Sequence, residues 1–309
     1  MPHPTIVDAK TLSAQLASAD PPVVLDVLPA EYFAARHIPS ARNHCVYEVI
    51  FLETVRQAFP DTSVPLAVYS ASHRCLAASD AAAKLLLAGY EKILICEDGL
   101  EGWVNAGFPL EGHLGPEPPA PGDIESQASR LDVDLAESRI EWTGRSRNGR
   151  HIGSVPLSEG ELRFWKGRLV HGAFVIDMEA LRDEDLKDFS LATLLINHLK
   201  SIDFFQVDHY PEARFESTSL SHVADACPGM ANFSVEGQLT LRGITRDVCF
   251  PATVERLDDG RLALEAHFDL DRTRWGANYG SGKLFEKLGM HLVHDLVSIQ
   301  LRLVTTAEA

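Results

Sequence analysis

The stretch FSVEGQLTL, Phe233–Leu241, sets apolar or small residues at every second position, Phe233, Val235, Gly237, Leu239 and Leu241, with polar residues between them. That is the period of a strand with one face buried and the other wet. The same alternation runs through Leu131, Val133 and Leu135, through Leu262, Leu264, Ala266, Phe268 and Leu270, and through Val297, Ile299, Leu301 and Leu303. Long half-buried strands of this kind close most naturally into an antiparallel barrel or sandwich. One helix interrupts them. In SLATLLINHLKSIDFF, Ser190–Phe205, the residues Leu191, Leu194, Leu195, Leu199 and Ile202 recur with helical spacing behind Ser190, the expected N-cap. This helix is expected to lie against the barrel or across its mouth.

Upstream the period changes. The runs VVLDV, LAVYS and KILIC are continuously apolar and alternate with helical patterns, which fits strands buried on both faces of a parallel sheet. Between the two regions, EGHLGPEPPAPGDIESQAS, Glu111–Ser129, is rich in Pro and Gly and almost free of large apolar residues. The expected organisation is therefore an α/β domain over 1–112, a linker over 113–129 and a barrel domain over 130–309.

Composition narrows the function. The net charge of -16 is distributed as 7 basic and 13 acidic groups in residues 1–112 and 21 and 31 in residues 113–309, so neither region suits nucleic acid. Five cysteines without CxxC or metal-ligand spacing read as thiols of a reducing compartment. No apolar run approaches the ~20 residues of a transmembrane segment, and the start MPHPTIVDAK has no basic or apolar leader pattern. A cytoplasmic location is expected.

The segment VYSASHRCLAAS, Val68–Ser79, joins a buried strand to an Ala-rich helix. Backbone N–H groups at such a junction favour an anion, so Ser70, Ala71, Ser72, His73, Arg74 and Cys75 form a candidate anion loop. Together with VVLDVLPAEYFAARHIPSARN and ICEDGLEGWVNAGFPLEG, this segment makes residues 5–112 resemble a rhodanese domain. The resemblance implies sulfur transfer through a cysteine persulfide at the first loop position. Ser70 stands there, and a hydroxyl cannot form a persulfide. Leu28 stands where the family often carries an arginine. No catalytic residue is therefore assigned: the expectation is a catalytically inactive module serving anion or partner binding, with Cys75 as the alternative nucleophile. Cys75 begins the following helix, where its sulfur is expected to point into packing. Asp26 is expected to fix loop geometry and Trp103 to fill the core.

Downstream, EWTGRSRNGRHIGSV, GELRFWKGRLVHGAFVIDMEAL, LINHLKSIDFFQVDHYPEARFEST, GQLTLRGITRDVCFP and DLDRTRWGANYG occur in order, and residues 136–304 resemble the YceI-like family. The resemblance implies an antiparallel, lipocalin-like β-barrel with short helices that binds, sequesters or transports a long isoprenoid or quinone-type lipid. Phe174, Ile176, Met178, Phe233, Val235, Leu239, Leu241, Phe268, Leu270 and Trp275 are the candidate ligand contacts, each with plain core as its alternative. Arg145, Arg147, Arg150 and His151 form either a lipid-phosphate site or a solvated hairpin. Arg272, Arg274, Trp275 and Tyr279 line the mouth or build a corner between strands. His291, His294 and Asp295 offer too few converging ligands for a metal, and none is assigned. No cofactor is expected beyond the lipid. A protein partner of the first domain, a homodimer and a filled barrel serving only as a scaffold stand as further options.

Overall fold

Each apolar run of the first region has two faces to bury, and the chain supplies a layer of helices for each. A computed structural model describes residues 3–113, 124, 126–224 and 226–307. The chain divides into two compact units, Met1–Pro119 and Ala120–Ala309. The first contains β1 (Thr5–Val7), α1 (Ala9–Leu16), β2 (Val23–Asp26), α2 (Ala30–Ala35), β3 (Arg42–Asn43), α3 (Phe51–Ala58), β4 (Leu66–Tyr69), α4 (Ala77–Leu87), β5 (Ile93–Cys96) and α5 (Gly99–Asn105). The strands form a parallel sheet in the order β1-β5-β4-β2-β3.

Successive residues of a strand point to opposite faces, so the runs divide between two cores. Leu25, Leu66 and Val68 pack with Phe51, Val55, Ala82 and Leu85 of α3 and α4. Val24, Ala67 and Tyr69 pack with Leu12, Leu100 and Trp103 of α1 and α5. Asp26 closes β2 and is fully buried, with Oδ1 accepting the Leu28 N–H at 2.8 Å. Burial pushes its pKa up to about 6, against the opposing pull of the Tyr69 hydroxyl, the Leu28 amide and His37.

The second unit contains β6 (Arg130–Asp132), β7 (Arg139–Ser146), β8 (Gly149–Trp165), β9 (Arg168–Asp177), β10 (Arg182–Asp183), α6 (Phe189–Lys200), β11 (Glu212–His222), β12 (Phe233–Leu241), β13 (Ile244–Arg256), β14 (Leu262–Asp271) and β15 (Leu296–Val304). Eight of these strands make a closed antiparallel barrel, running β8-β7-β15-β14-β13-β12-β11-β9 and returning to β8. The seventeen residues of β8 permit closure: the first half pairs with β7 and the second with β9, with a register shift between Leu157 and Glu159. β10 and β6 cover the remaining edges of those two halves. Alternation along β12, β14 and β15 turns the apolar set inward.

The segment expected as a linker falls mainly on residues 114–123 and 125, outside the described residues. Ile124 and Ala128 pack on the barrel core, and the Ser126 N–H donates to the Gly167 carbonyl at 3.2 Å, so barrel packing begins before residue 130. α6 differs from its sequence pattern at the cap and on the apolar face. Its N-cap is Asp188, whose Oδ1 accepts from the N–H of Ser190 and Leu191. Of the expected apolar face, Leu191, Leu194 and Ile202 are exposed, while Leu195 and Leu199 turn toward the barrel interior.

Two outcomes follow from these contacts. A carboxyl whose folded pKa exceeds its unfolded value stabilises the fold below the unfolded pKa and loses that contribution as pH rises through the folded one. Replacing Asp26 by Asn should therefore gain stability relative to the parent as pH rises from 4 to 7.5. The expected gain is about 3 kcal/mol at most, read from denaturant melts of the first unit's transition. At Gly237 a Cβ would lie 2.5 Å from the Phe215 ring, so Gly237→Ala should cost about 1–3 kcal/mol in barrel stability, measured the same way.

Candidate ligand cavity

Inward-facing side chains on eight strands either meet at the barrel axis or leave space, and this barrel does both at different heights. Toward one end Leu162, Leu169, Val235, Leu264 and Leu303 pack around a void of only about 20 Å³. Above them a chain of rings crosses the interior: Phe174 stacks on Phe215 at 4.9 Å, Phe215 meets Phe250 at 5.6 Å, and Phe250 stacks on Phe268 at 4.4 Å. These rings form the floor of a second cavity of about 260 Å³, which extends toward the tip of the β7–β8 hairpin.

The walls are almost wholly apolar, including Ile140, Trp142, Val155, Val248, Val297 and Ile299. Of the ten expected ligand contacts, Phe174, Ile176, Met178, Leu239, Leu241, Phe268 and Leu270 lie on this wall. Three do not. Phe233 starts β12 at the packed end, beside Ala252 and His222, and Val235 lines only the small void. Trp275 is fully buried behind the wall, with Nε1–H donating to the Leu239 carbonyl at 3.0 Å. Leu195 and Leu199 of α6, with Phe204 and Phe205 just after it, close over part of the opening.

Polar groups gather at the opening as a collar of Arg145, Ser146, His151, His198, Arg272, Tyr279 and His294. Arg272 is already committed to structure. Its guanidinium is buried and donates to the carbonyls of Ala277, Tyr279, Val293 and His294, with Asp295 at 3.8 Å. Burial pulls its pKa below the ordinary arginine value, against the attraction of Asp295 and Asp271. Lying over the Phe204 ring, Arg272 builds the corner between β14 and the following loop. Arg274 lies over the Trp275 ring and donates to the Asp247 carbonyl. Arg145 is more available, held at its tip by the Ser298 hydroxyl at 2.8 Å. The His198 ring packs edge-on against Phe204 and Tyr279, and Nε2 lies 3.2 Å from Asp203.

Sequence spacing did not reveal one cluster near this collar. The ligand atoms of His151, Asp183 and Asp185 lie within 4.8 Å of one another, brought together by the pairing of β10 with β8. Both carboxylates also accept backbone amides, Asp183 from Leu186 and Asp185 from Ile152, which fixes the bend leading into α6. Burial, reinforced by Asp185, pushes Asp183 above its ordinary range.

In the first unit, Ser70 directly follows β4 and is buried, its hydroxyl donating to the Cys75 carbonyl at 3.3 Å. Gly99 allows the following loop to come close: its φ is +61°, and a Cβ there would lie 2.5 Å from the Ser70 carbonyl oxygen. His73 and Arg74 are exposed. Cys75 lies in the loop, two residues before α4 begins at Ala77, rather than starting that helix. It packs partly on the core, and its sulfur also has polar donors beside it. Burial works against the thiolate, but the N–H groups of Ala77 and Ala71 and the hydroxyls of Ser70 and Tyr47 together bring the thiol below its ordinary pKa. Cys96, by contrast, is pushed up to about 11 by burial. No helix among the described residues is long and apolar enough to cross a membrane.

Comparison with known proteins matches both units. Residues 8–106 match the rhodanese-like domain model. Over 56 residues the chain is 41% identical to a UPF0312 protein of Pseudomonas putida strain F1 and 43% identical to one of strain W619. Each match covers 18% of this chain and spans 27% of the curated relative. Among solved structures, Burkholderia cenocepacia BcnA is 24% identical with a TM-score of 0.45, over 57% of this chain and 100% of that one. A polyisoprenoid binding domain from Saccharophagus degradans is 12% identical with a TM-score of 0.41, over 59% and 100%. Thiosulfate sulfurtransferase from Pseudomonas aeruginosa is 26% identical with a TM-score of 0.31, over 36% and 20%. With residues 131–305 matching the YceI-like domain model, more than half of its length, the chain belongs to the YceI-like family and carries a rhodanese-like domain ahead of the barrel.

Proposed function

We propose that the barrel binds a long-chain isoprenoid or quinone-type lipid and holds it away from water, for storage or transport. The observation that carries this reading is the division of one interior into a packed end, an aromatic floor and an apolar hollow below a polar collar. A prenyl chain gains about 0.8 kcal/mol for each buried CH₂, and such a wall offers it no competing polar group. A head group with carbonyl or phosphate oxygens would then meet Arg145, His198 and Tyr279 at the collar. In this reading the rhodanese-like domain binds an anion or a protein partner and performs no sulfur transfer, because Ser70 occupies the position of the nucleophile.

Cys75 supports a second reading. Its sulfur has the hydrogen-bond donors that a thiolate requires, so sulfur transfer through Cys75 competes with an inactive module. The thiosulfate and cyanide assay separates them. The first reading expects no activity above background. Activity that Cys75→Ala abolishes and Ser70→Ala weakens would establish the second.

The cavity is tested on delipidated full-length protein. A prenyl alcohol or short-chain quinone at about a hundred times its Kd should stabilise the barrel by about 2.7 kcal/mol, seen as a rise in Tm of several degrees. Leu239→Trp, which fills the hollow, and Leu239→Arg, which places an unpaired charge in it, should each abolish that rise. Val235→Ala, on the same strand face beside the other void, should leave it intact. No rise with any chain length would make the barrel a scaffold.

A further inference from the structure

α6 presents one side to the cavity and another to solvent, and both sides are apolar. Leu195 and Leu199 face inward. Phe189, Leu194 and Ile202 are 84%, 66% and 70% exposed, and Leu191 is exposed beside them. Across the opening the segment after Tyr279 behaves alike: Tyr279, Val293 and His294 line the cavity, while Leu284, Phe285 and Met290 are at least half exposed. The two elements belong to one rim. The rings of His198 and Tyr279 touch at 4.7 Å, and the β7–β8 hairpin joins the rim where the Arg147 N–H donates to the Leu292 carbonyl. An exposed apolar side chain by itself means little, but seven on the elements that border one opening form a patch.

Charge favours the same face. Segments 145–151, 182–203 and 279–295 hold eight basic and seven acidic side chains, against 20 and 37 in the rest of the chain. Arg147, Arg150, Lys187 and Lys287 are exposed there and form no ion pair among the described residues. A strongly acidic protein is repelled by an anionic bilayer over most of its surface. This rim carries no such net repulsion, and its free cations stand beside side chains able to enter the acyl region.

We infer that the open end of the barrel docks on an anionic lipid bilayer, with Phe189, Leu191, Leu194 and Ile202 on one side of the cavity and Leu284, Phe285 and Met290 on the other entering the interface. Docked in this way, the cavity opens against the membrane and a prenyl chain passes between them without crossing water. The inference rests on the lipid-cargo reading for its purpose, but the surface itself is tested without cargo.

The experiment is co-sedimentation of the full chain with vesicles of phosphatidylcholine and phosphatidylglycerol that contain no isoprenoid. The parent should pellet with the vesicles, and Phe189→Ser/Leu194→Ser should lower the bound fraction by about fivefold or more. Arg147→Glu/Lys287→Glu should weaken binding as phosphatidylglycerol is increased and have little effect on phosphatidylcholine alone. Trp165→Ser alters an exposed aromatic at the opposite, β8–β9 end of the barrel and should leave binding within about twofold. The side chains changed at the rim are exposed, so circular dichroism and Tm should match the parent. Absence of pelleting at millimolar lipid overturns the inference, as does loss of binding only in Trp165→Ser. A vesicle-free dimer that Phe189→Ser/Leu194→Ser converts to monomer assigns the face to a second copy and overturns it too. A soluble prenyl alcohol that raises Tm while vesicles fail to bind leaves the cargo reading standing without the docking; pelleting without any ligand-induced rise in Tm does the reverse.

Discussion

Everything in the barrel depends on β8 pairing with two different neighbours. Its first half is hydrogen-bonded to β7 and its second to β9, and the register shift between Leu157 and Glu159 lets a single strand turn from one to the other. Closure removes the sheet's open edges and places every inward-facing side chain around one axis. Without it, the alternating residues of β12, β14 and β15 would face another layer and leave no interior to hollow out. The hollow in turn requires that bulk be distributed unevenly along that axis. The phenyl rings of Phe174, Phe215, Phe250 and Phe268 fill the middle, and Gly237 makes room for one of them.

Strand faces were legible in the sequence because a strand's period is two residues and its faces differ in polarity. The parallel sheet was legible for the complementary reason: Leu25 and Val24 are both apolar because both faces of β2 are covered. Height along the barrel was not legible. Phe233 and Leu239 have the same parity, yet one is beside the packed end and the other on the cavity wall, and only the strand stagger separates them. Nor does parity distinguish a wall from what lies behind it, as Trp275 demonstrates.

The helix pattern misled and the loop was only partly legible, for different physical reasons. Apolar spacing in α6 identified a helix, but a helix over an opening packs only part of its apolar surface, so the expected and observed buried residues differ. Asp188 outcompeted Ser190 as the cap because its carboxylate accepts two helix N–H groups and the Ser190 hydroxyl as well. At Cys75 the position in the chain suggested packing, and packing is present. The approach of Tyr47 and the Ser70 hydroxyl depends on tertiary contacts that no local pattern encodes. The grouping of His151 with Asp183 and Asp185 likewise arises from strand pairing across some thirty residues.

For a chain-like ligand the phenyl floor would also act as a depth gauge. On the proposed reading, a chain molecule inserted from the open end would descend only to Phe250 and Phe268, and isoprene units beyond that depth would remain outside the hollow. Affinity should therefore rise with chain length and then level off. For such a ligand the length at which it levels off would be set by four ring positions, so shortening any of them to an aliphatic side chain would change which members of a homologous series fit best, without altering the strands that carry them.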